Sequence, residues 1–276
     1  MSSRFNTLRK FVATNKDNRF ISYCANASRI ILDLVDNARH WNFETNGEQF
    51  VCQFVLSITS GVVFDVGAHH GEFAKFLAEF DNERVIFAFE PVPEHSIKAE
   101  KNLSSFKNVR IVHKGLSDKV GTETIFLSEK HPQTAGTMHF IHDFDALSEL
   151  KEIPCSFITG DSFCDEQGIT QISLLKIDVE GMEKRVLHGF TRMLAEKRID
   201  AIQFEHGPTH AETGDTLRTL QRWFNEFGYT VWAIFPNGAR IITNTGANAE
   251  TFRGRNLLAA REGLQSNIKK IVVGAC

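Results

Sequence analysis

Val62–Gly71, VVFDVGAHHG, sets the reading of the whole chain. An apolar run ends in Asp65, passes through Gly67 and turns on Gly71 into a segment with helical apolar spacing. That pattern is a strand, a tight glycine turn and a helix, and such a turn presents backbone N–H groups and a helix N-terminus to a ligand. A second strand, VIFAFEP, ends in Glu90. A carboxylate at the tip of the second strand is where doubly wound α/β folds hold a ribose. The turn and the acid together point to a nucleoside-type cofactor. The competing reading is purely structural, with Asp65 and Glu90 capping helices and Gly67 only turning the chain.

The residues also discriminate among nucleoside cofactors. A G-x-G-x-x-G turn needs its second glycine so that the backbone can touch a pyrophosphate. His69 stands there, and its Cβ argues against a dinucleotide. The Lys-Ser/Thr of a phosphate-binding P-loop is absent from the turn. Asp65 and Gly67 with Gly71, followed by Glu90, suit a cofactor without phosphate, such as S-adenosylmethionine. Gly67 is expected at the methionine end, and Glu90 on the ribose hydroxyls through charge-assisted hydrogen bonds.

Composition bounds the rest. The chain has 276 residues, 42% of them hydrophobic, enough for a full core. A net charge of -3 gives no sign of nucleic-acid binding. No apolar run reaches the ~20 residues of a membrane span, and the N-terminus lacks the apolar centre of a signal peptide. The five cysteines, Cys24, Cys52, Cys155, Cys164 and Cys276, are scattered without a C-x-x-C pair. This usage fits a reduced, cytoplasmic protein and argues against a disulfide framework or a zinc site. Twenty-four Phe against two Tyr predict a Phe-packed core.

The expected organisation is an N-terminal helical extension over 1–60 and a main α/β domain over 61–276. Ile31, Leu34, Val35 and Ala38 repeat at helical spacing, and this extension is expected to pack on the main domain and help close its site. From 61 onward strands and helices alternate, which predicts a Rossmann-like, mainly parallel sheet with helices on both faces. Strands are expected at Val62–Asp65, Val85–Glu90, Val109–His113, Thr122–Leu127, Ile172–Asp178 and Ile199–Glu205. Helices are expected after His70, after Pro93, around Val186–Leu194 and around Leu217–Phe227. Pro236-Asn237-Gly238 reads as a hairpin turn, so the sheet ends in an antiparallel pair. Residues 129–148 read as a loop suited to a substrate wall.

Asn46-Gly47-Glu48, FDVGAHHGEF, FAFEPVPE, Gly115-Leu116-Ser117-Asp118 with Gly121, LLKIDVEGMEKRVLHGF and Ile202–Glu205 follow one another in a fixed order. In this order and spacing the chain resembles the FkbM-type S-adenosylmethionine-dependent methyltransferases, from about Asn46 to near Leu258. The resemblance implies a class I methyltransferase fold. It also implies O-methylation of a sugar, or of a polyketide- or glycolipid-like natural product. The family commonly carries Asn-hydrophobic where this chain has His69-His70. Leu116, Ser117 and Asp118 are expected beside the adenine, although an Asp in a turn is often only a turn former.

Ligands of open α/β sheets sit outside the carboxyl ends of the strands, which places Asp178 at the site by topology. Lys176 and Asp178 share one strand face. Methyl transfer to a hydroxyl needs an aligned acceptor oxygen and a group that takes its proton. Asp178 is the first candidate, with Glu205 and His206 beside it at the end of the fifth strand. Asp178 and Glu205 also make a two-carboxylate Mg²⁺ site conceivable. The bland readings pair Asp178 with Lys176, give Glu180 and Glu183 to the helix dipole, and leave His206 solvated. His131, His139 and His142 lack helical metal spacing. The rival functions are an N-methyltransferase of a peptide or amine, a non-catalytic cofactor-binding or partner module, and a nicotinamide oxidoreductase. The acceptor and the oligomeric state are not legible.

Overall fold

The computed structural model describes residues 3–128, 135–136, 150–242 and 250–272. The expected loop over 129–148, apart from 135–136, lies outside the described residues, as do His131, His139 and His142.

Two sheets are formed. The larger contains β1 (Val62–Val66), β2 (Ile86–Phe89) and β3 (Val109–Val112). The smaller follows with β4 (Gly115–Leu116), β5 (Gly121–Ser128), β6 (Ala135–Gly136) and β7 (Leu150–Ile158). The larger resumes with β8 (Ile172–Ile177), β9 (Ile199–His206), β10 (Tyr229–Phe235), β11 (Gly238–Ile241) and β12 (Arg255–Arg261). Its order is β11-β10-β12-β9-β8-β1-β2-β3. The run from β9 to β3 is parallel, as the alternating pattern predicts. β12 inserts between β9 and β10, antiparallel to both, and β10 and β11 form the expected hairpin.

The helices before β1 are α1 (Ser3–Thr14), α2 (Arg19–Asp36) and α3 (Glu48–Ile58). α4 (Glu72–Phe80) and α5 (Pro93–Leu103) follow β1 and β2, and α6 (Gly160–Gln167) follows β7. α7 (Glu183–His188) and α8 (Thr191–Ala195) follow β8; α9 (Pro208–Thr213) and α10 (Leu217–Glu226) follow β9. α3, α4 and α5 cover one face of the large sheet, with Val51, Leu77 and Ala99 in its core. Leucines and phenylalanines of α6, α7, α8 and α10 cover the other. There Phe64 meets Phe87, Phe89, Phe163 and Phe190 at ring-centroid distances of 5.0 to 5.9 Å, so the Phe bias does build a core. Edge-to-face and tilted pairs of this kind add to the apolar burial.

Three sequence expectations change. α2 buries none of its residues, so Ile31, Leu34 and Val35 face solvent, whereas Ala38 just beyond it and Val51 and Val55 of α3 are buried and carry the packing of the extension. The stripe Val186–Leu194 is buried as expected, but α7 and α8 are separate helices, broken at Gly189 and Phe190. Gly189 has no room for a Cβ, which would stand 2.2 Å from the Ser117 carbonyl oxygen. Finally, β7 is not among the expected strands: Ile153, Cys155 and Phe157 alternate inward, but Pro154 on the exposed side argues against a paired strand. It nevertheless pairs along β5 from Gly121↔Phe157 to Ser128↔Leu150.

Candidate active site

The carboxyl ends of β1, β2 and β8 open into a cleft of about 460 Å³. Gly67, His69, Glu90, His95, Leu116, Lys176, Asp178 and Glu180 line it, with Trp41, Phe43 and Glu48 reaching in from the segment before β1. The N-terminal segment therefore helps to close the cleft, through these three residues and not through the stripe of α2.

The turn is built by Glu90. Its Oε2 accepts the His69 backbone N–H at 2.8 Å and its Oε1 accepts the Val92 backbone N–H at 2.9 Å. A carboxylate has about four lone-pair sites, so this nearly buried side chain keeps acceptor capacity toward the cleft. Gly67 has φ +83, and a Cβ there would stand 1.9 Å from the Asp178 carbonyl oxygen. The close approach that demands glycine is thus to the β8 end. Gly71, at φ +85, faces Leu103 and lies outside the cleft lining.

Asp65 is placed under the cleft, not in it. It is fully buried, and among the described residues no hydrogen bond of good geometry reaches either carboxyl oxygen. Its neighbour in register is Lys176, whose Nζ stands 3.7 Å away. Burial pushes the Asp65 carboxyl up to about 6, although Lys176 pulls the other way. Burial alone would lower Lys176, but the carboxylates of Asp178, Asp65 and Glu48 outweigh it and keep the ammonium charged. The same Nζ donates to Asp178 Oδ2 at 3.1 Å and sits over the Phe73 ring, 4.7 Å from its centroid. Asp178 does pair with Lys176, yet its side chain is 46% exposed and lines the cleft, so the pairing leaves it accessible.

Of the three residues expected beside the adenine, only Leu116 lines the cleft, where it is buried. Ser117 and Asp118 lie outside the lining: the Ser117 hydroxyl donates to Asp118 Oδ1 at 2.9 Å. Arg185 donates to the same oxygen at 2.9 and 3.0 Å, which fixes that carboxylate away from the cleft.

The proton acceptors beside Asp178 are also corrected. His206 is buried and not solvated; its Nε2 lies 3.1 Å from the Asp215 carbonyl oxygen. Burial and His210 push it down to about 4, too weak a base for work near neutrality. Glu205 lies outside the cleft lining, and burial together with Asp178 and Glu180 pushes it up to about 9. It therefore holds its proton at neutral pH. Burial and Asp178 likewise bring Glu180, which sits at φ 51, up to about 7.

Carboxyls that stay protonated in the folded chain have a measurable consequence. Glu205 titrates near 9 folded against an ordinary 4.5, so its contribution to stability is complete below 4.5 and lost as pH rises through 9. Glu180 acts in the same sense up to about 7. His206, depressed from 6.5 to about 4, has the opposite sign, but its effect lies below neutrality. The melting temperature is expected to fall by a few degrees between pH 7 and pH 9, and Glu205→Gln should flatten that slope. Circular-dichroism melts at pH 7, 8 and 9 check it; an unchanged slope in the variant removes Glu205 as the cause.

Two groups at the site had little sequence signal. Glu48, the first residue of α3, is buried in the cleft wall and accepts from Asn46 Nδ2 at 2.5 Å, from Asn256 Nδ2 at 2.9 Å and from Gln203 Nε2. Only the Asn46-Gly47-Glu48 element marked it. His95, at the start of α5, stands with its ring centroid 4.6 Å from that of His69, which in turn stacks on His70 at 3.6 Å. Burial and the neighbouring imidazoles lower His69, and burial lowers His70. Both are therefore neutral near pH 7 and add no positive charge beside a cationic ligand.

A family model for the methyltransferase FkbM domain matches residues 65–231, over half of the chain, from the end of β1 through the turn, β2 and β8. The chain is 26% identical over 148 residues to the 2-O-methyltransferase NoeI of Sinorhizobium fredii, covering 50% of this chain and 60% of that protein. It is 32% identical over 153 residues to the 31-O-demethyl-FK506 methyltransferase FkbM of Streptomyces tacrolimicus, covering 46% and 58%. It is 26% identical over 167 residues to the hexuronic acid methyltransferase AglP of Haloferax volcanii, covering 59% and 65%. The chain thus spans about 60% of the length of the curated relatives it matches. With the parallel sheet, the Gly67 turn and the Glu90 and Asp178 strand ends in place, the chain belongs to the FkbM methyltransferase family.

Proposed function

We propose that this chain is an S-adenosylmethionine-dependent O-methyltransferase acting on a hydroxyl of a sugar, glycolipid or other natural product. The observation that carries the reading is that Glu90 and Asp178 line one cleft across the Gly67 turn. The names of the three relatives support the acceptor class. The cleft also fits the cofactor: Glu90 has acceptor capacity left for ribose hydroxyls, and Leu116 offers an apolar wall.

S-adenosylmethionine supplies a sulfonium-bound methyl group as the electrophile. Glu90 holds the ribose end and, through the His69 and Val92 N–H groups, keeps the turn in shape. Asp178 is placed to take the proton of an acceptor hydroxyl that meets that methyl group. Lys176, charged and 3.1 Å away, keeps Asp178 oriented for that role. Trp41 and Phe43 give the cleft an aromatic wall before α3.

Calorimetric titration tests the reading. Micromolar binding of S-adenosylmethionine and no binding of NAD⁺ is the expected result; the reverse would overturn it. Methyl transfer to an amine and not to hydroxyl compounds would replace the acceptor class. One second reading has an observation behind it: the crowding of Asp178, Glu180 and Glu205 that keeps Glu205 protonated is the setting a divalent cation would relieve. If Asp178 and Glu205 hold Mg²⁺, a chelator stops turnover and Mg²⁺ restores it. If Asp178 acts alone, turnover survives the chelator.

A further inference from the structure

The first two helices carry an apolar face that none of the described residues covers. Leu8 and Phe11 stand one turn apart on α1, and both are exposed. On α2, Phe20 and Ile31 are eleven residues apart, three helical turns, so they share one side. Leu34 and Val35 continue it by one more turn and are also exposed. Scattered exposed apolar side chains need no explanation, but a continuous row of them marks a contact surface.

Charge says which kind of contact. Between residues 4 and 29 the sequence holds Arg4, Arg9, Lys10, Lys16, Arg19 and Arg29 against one acid, Asp17. The acids at the far end of α2 are already committed. Asp33 pairs with Arg253 at 2.8 Å, and Asp36 pairs with Arg253 at 2.8 Å and Arg255 at 2.6 Å. Asn37 Nδ2 adds a hydrogen bond to the Ile234 carbonyl oxygen at 3.1 Å. The helix pair is therefore moored to the sheet at one end, and its remaining length is apolar and basic. A second copy of the same surface would bring basic residues against basic residues with only Asp17 between them. An anionic lipid surface meets both properties, since apolar side chains enter the acyl boundary while Lys and Arg reach headgroup phosphates.

We propose that α1 and α2 form an interfacial anchor that lays this chain on an anionic phospholipid surface, apolar row inward and basic residues on the headgroups. The anchor is independent of the methyl-transfer reading, because it involves no residue of the cleft. Flotation of the full chain with phosphatidylcholine vesicles, with and without phosphatidylglycerol, tests it without cofactor or acceptor.

The chain is expected to float with the anionic vesicles and to stay behind with the neutral ones, and high salt should weaken the association. The double variant Ile31→Glu, Leu34→Glu should reduce the bound fraction at least tenfold. These side chains are 58% and 75% exposed, so its melting curve should match the parent's. Equal flotation of parent and variant, or none by the parent, overturns the proposal. So does light scattering that shows a dimer dispersed by the same substitutions with no vesicle binding; the row would then be an interface between copies.

Discussion

Glu90→Ala is expected to weaken S-adenosylmethionine binding at least tenfold, about 1.4 kcal/mol. Two effects act together. The ribose loses a charged acceptor, and charge-assisted hydrogen bonds contribute about 1.5–3 kcal/mol. The His69 and Val92 N–H groups, at 2.8 and 2.9 Å from the carboxylate, lose their acceptors. A buried donor left without a partner costs about 1–3 kcal/mol, so the variant should also melt earlier. Glu90→Gln separates the two, because its amide oxygen still accepts one backbone N–H while the charge is gone. Calorimetry with the cofactor reads the affinity, and thermal melts read the fold. Affinity unchanged in Glu90→Ala would mean that the ribose is held elsewhere.

Asp178→Asn is expected to lower turnover by about 10²–10⁴-fold, the usual contribution of a positioned general base. Cofactor affinity should stay within about threefold. Asparagine has nearly the same shape and can still accept the Lys176 ammonium, which now donates to Asp178 at 3.1 Å. What it lacks is the capacity to take a proton. With an accepted hydroxyl substrate, release of S-adenosylhomocysteine measures the first quantity and calorimetry the second. A loss confined to cofactor binding would make Asp178 a binding residue. Normal turnover would place the base elsewhere; His206 would not inherit the role, since it is buried and pushed down to about 4.

Much of the frame was readable because its signals are local. VVFDVGAHHG became β1, the turn and the start of α4, and ISLLKI became β8, because a buried parallel strand is a mostly apolar run. Glu90 and Asp178 were legible for a related reason: a strand's last residues fall at the sheet edge where ligands sit. β7 was missed although Ile153, Cys155 and Phe157 alternate, because Pro154 argues against a paired strand and its partner β5 lies far back in sequence. The apolar stripe of α2 was read as a packing face, and periodicity alone cannot say whether anything covers such a face. Burial decided the chemistry of neighbours. Glu205 and His206 stand side by side at the end of β9, and one is driven up to about 9 and the other down to about 4.

By itself the sequence determined the alternation of strands and helices, the glycine turn without room for a pyrophosphate, the two strand-end acids, and the ordered motifs of the family. These follow from side-chain periodicity and backbone sterics, which act over a few residues. Only the tertiary structure decided that Asp65 lies beneath the cleft against Lys176, that Arg185 holds Asp118 away from it, and that Glu48 and His95 belong to its wall. Only it decided that the row on α1 and α2 is bare. Those outcomes depend on desolvation and on charges brought together from distant parts of the chain, and both exist only once the sheet has assembled.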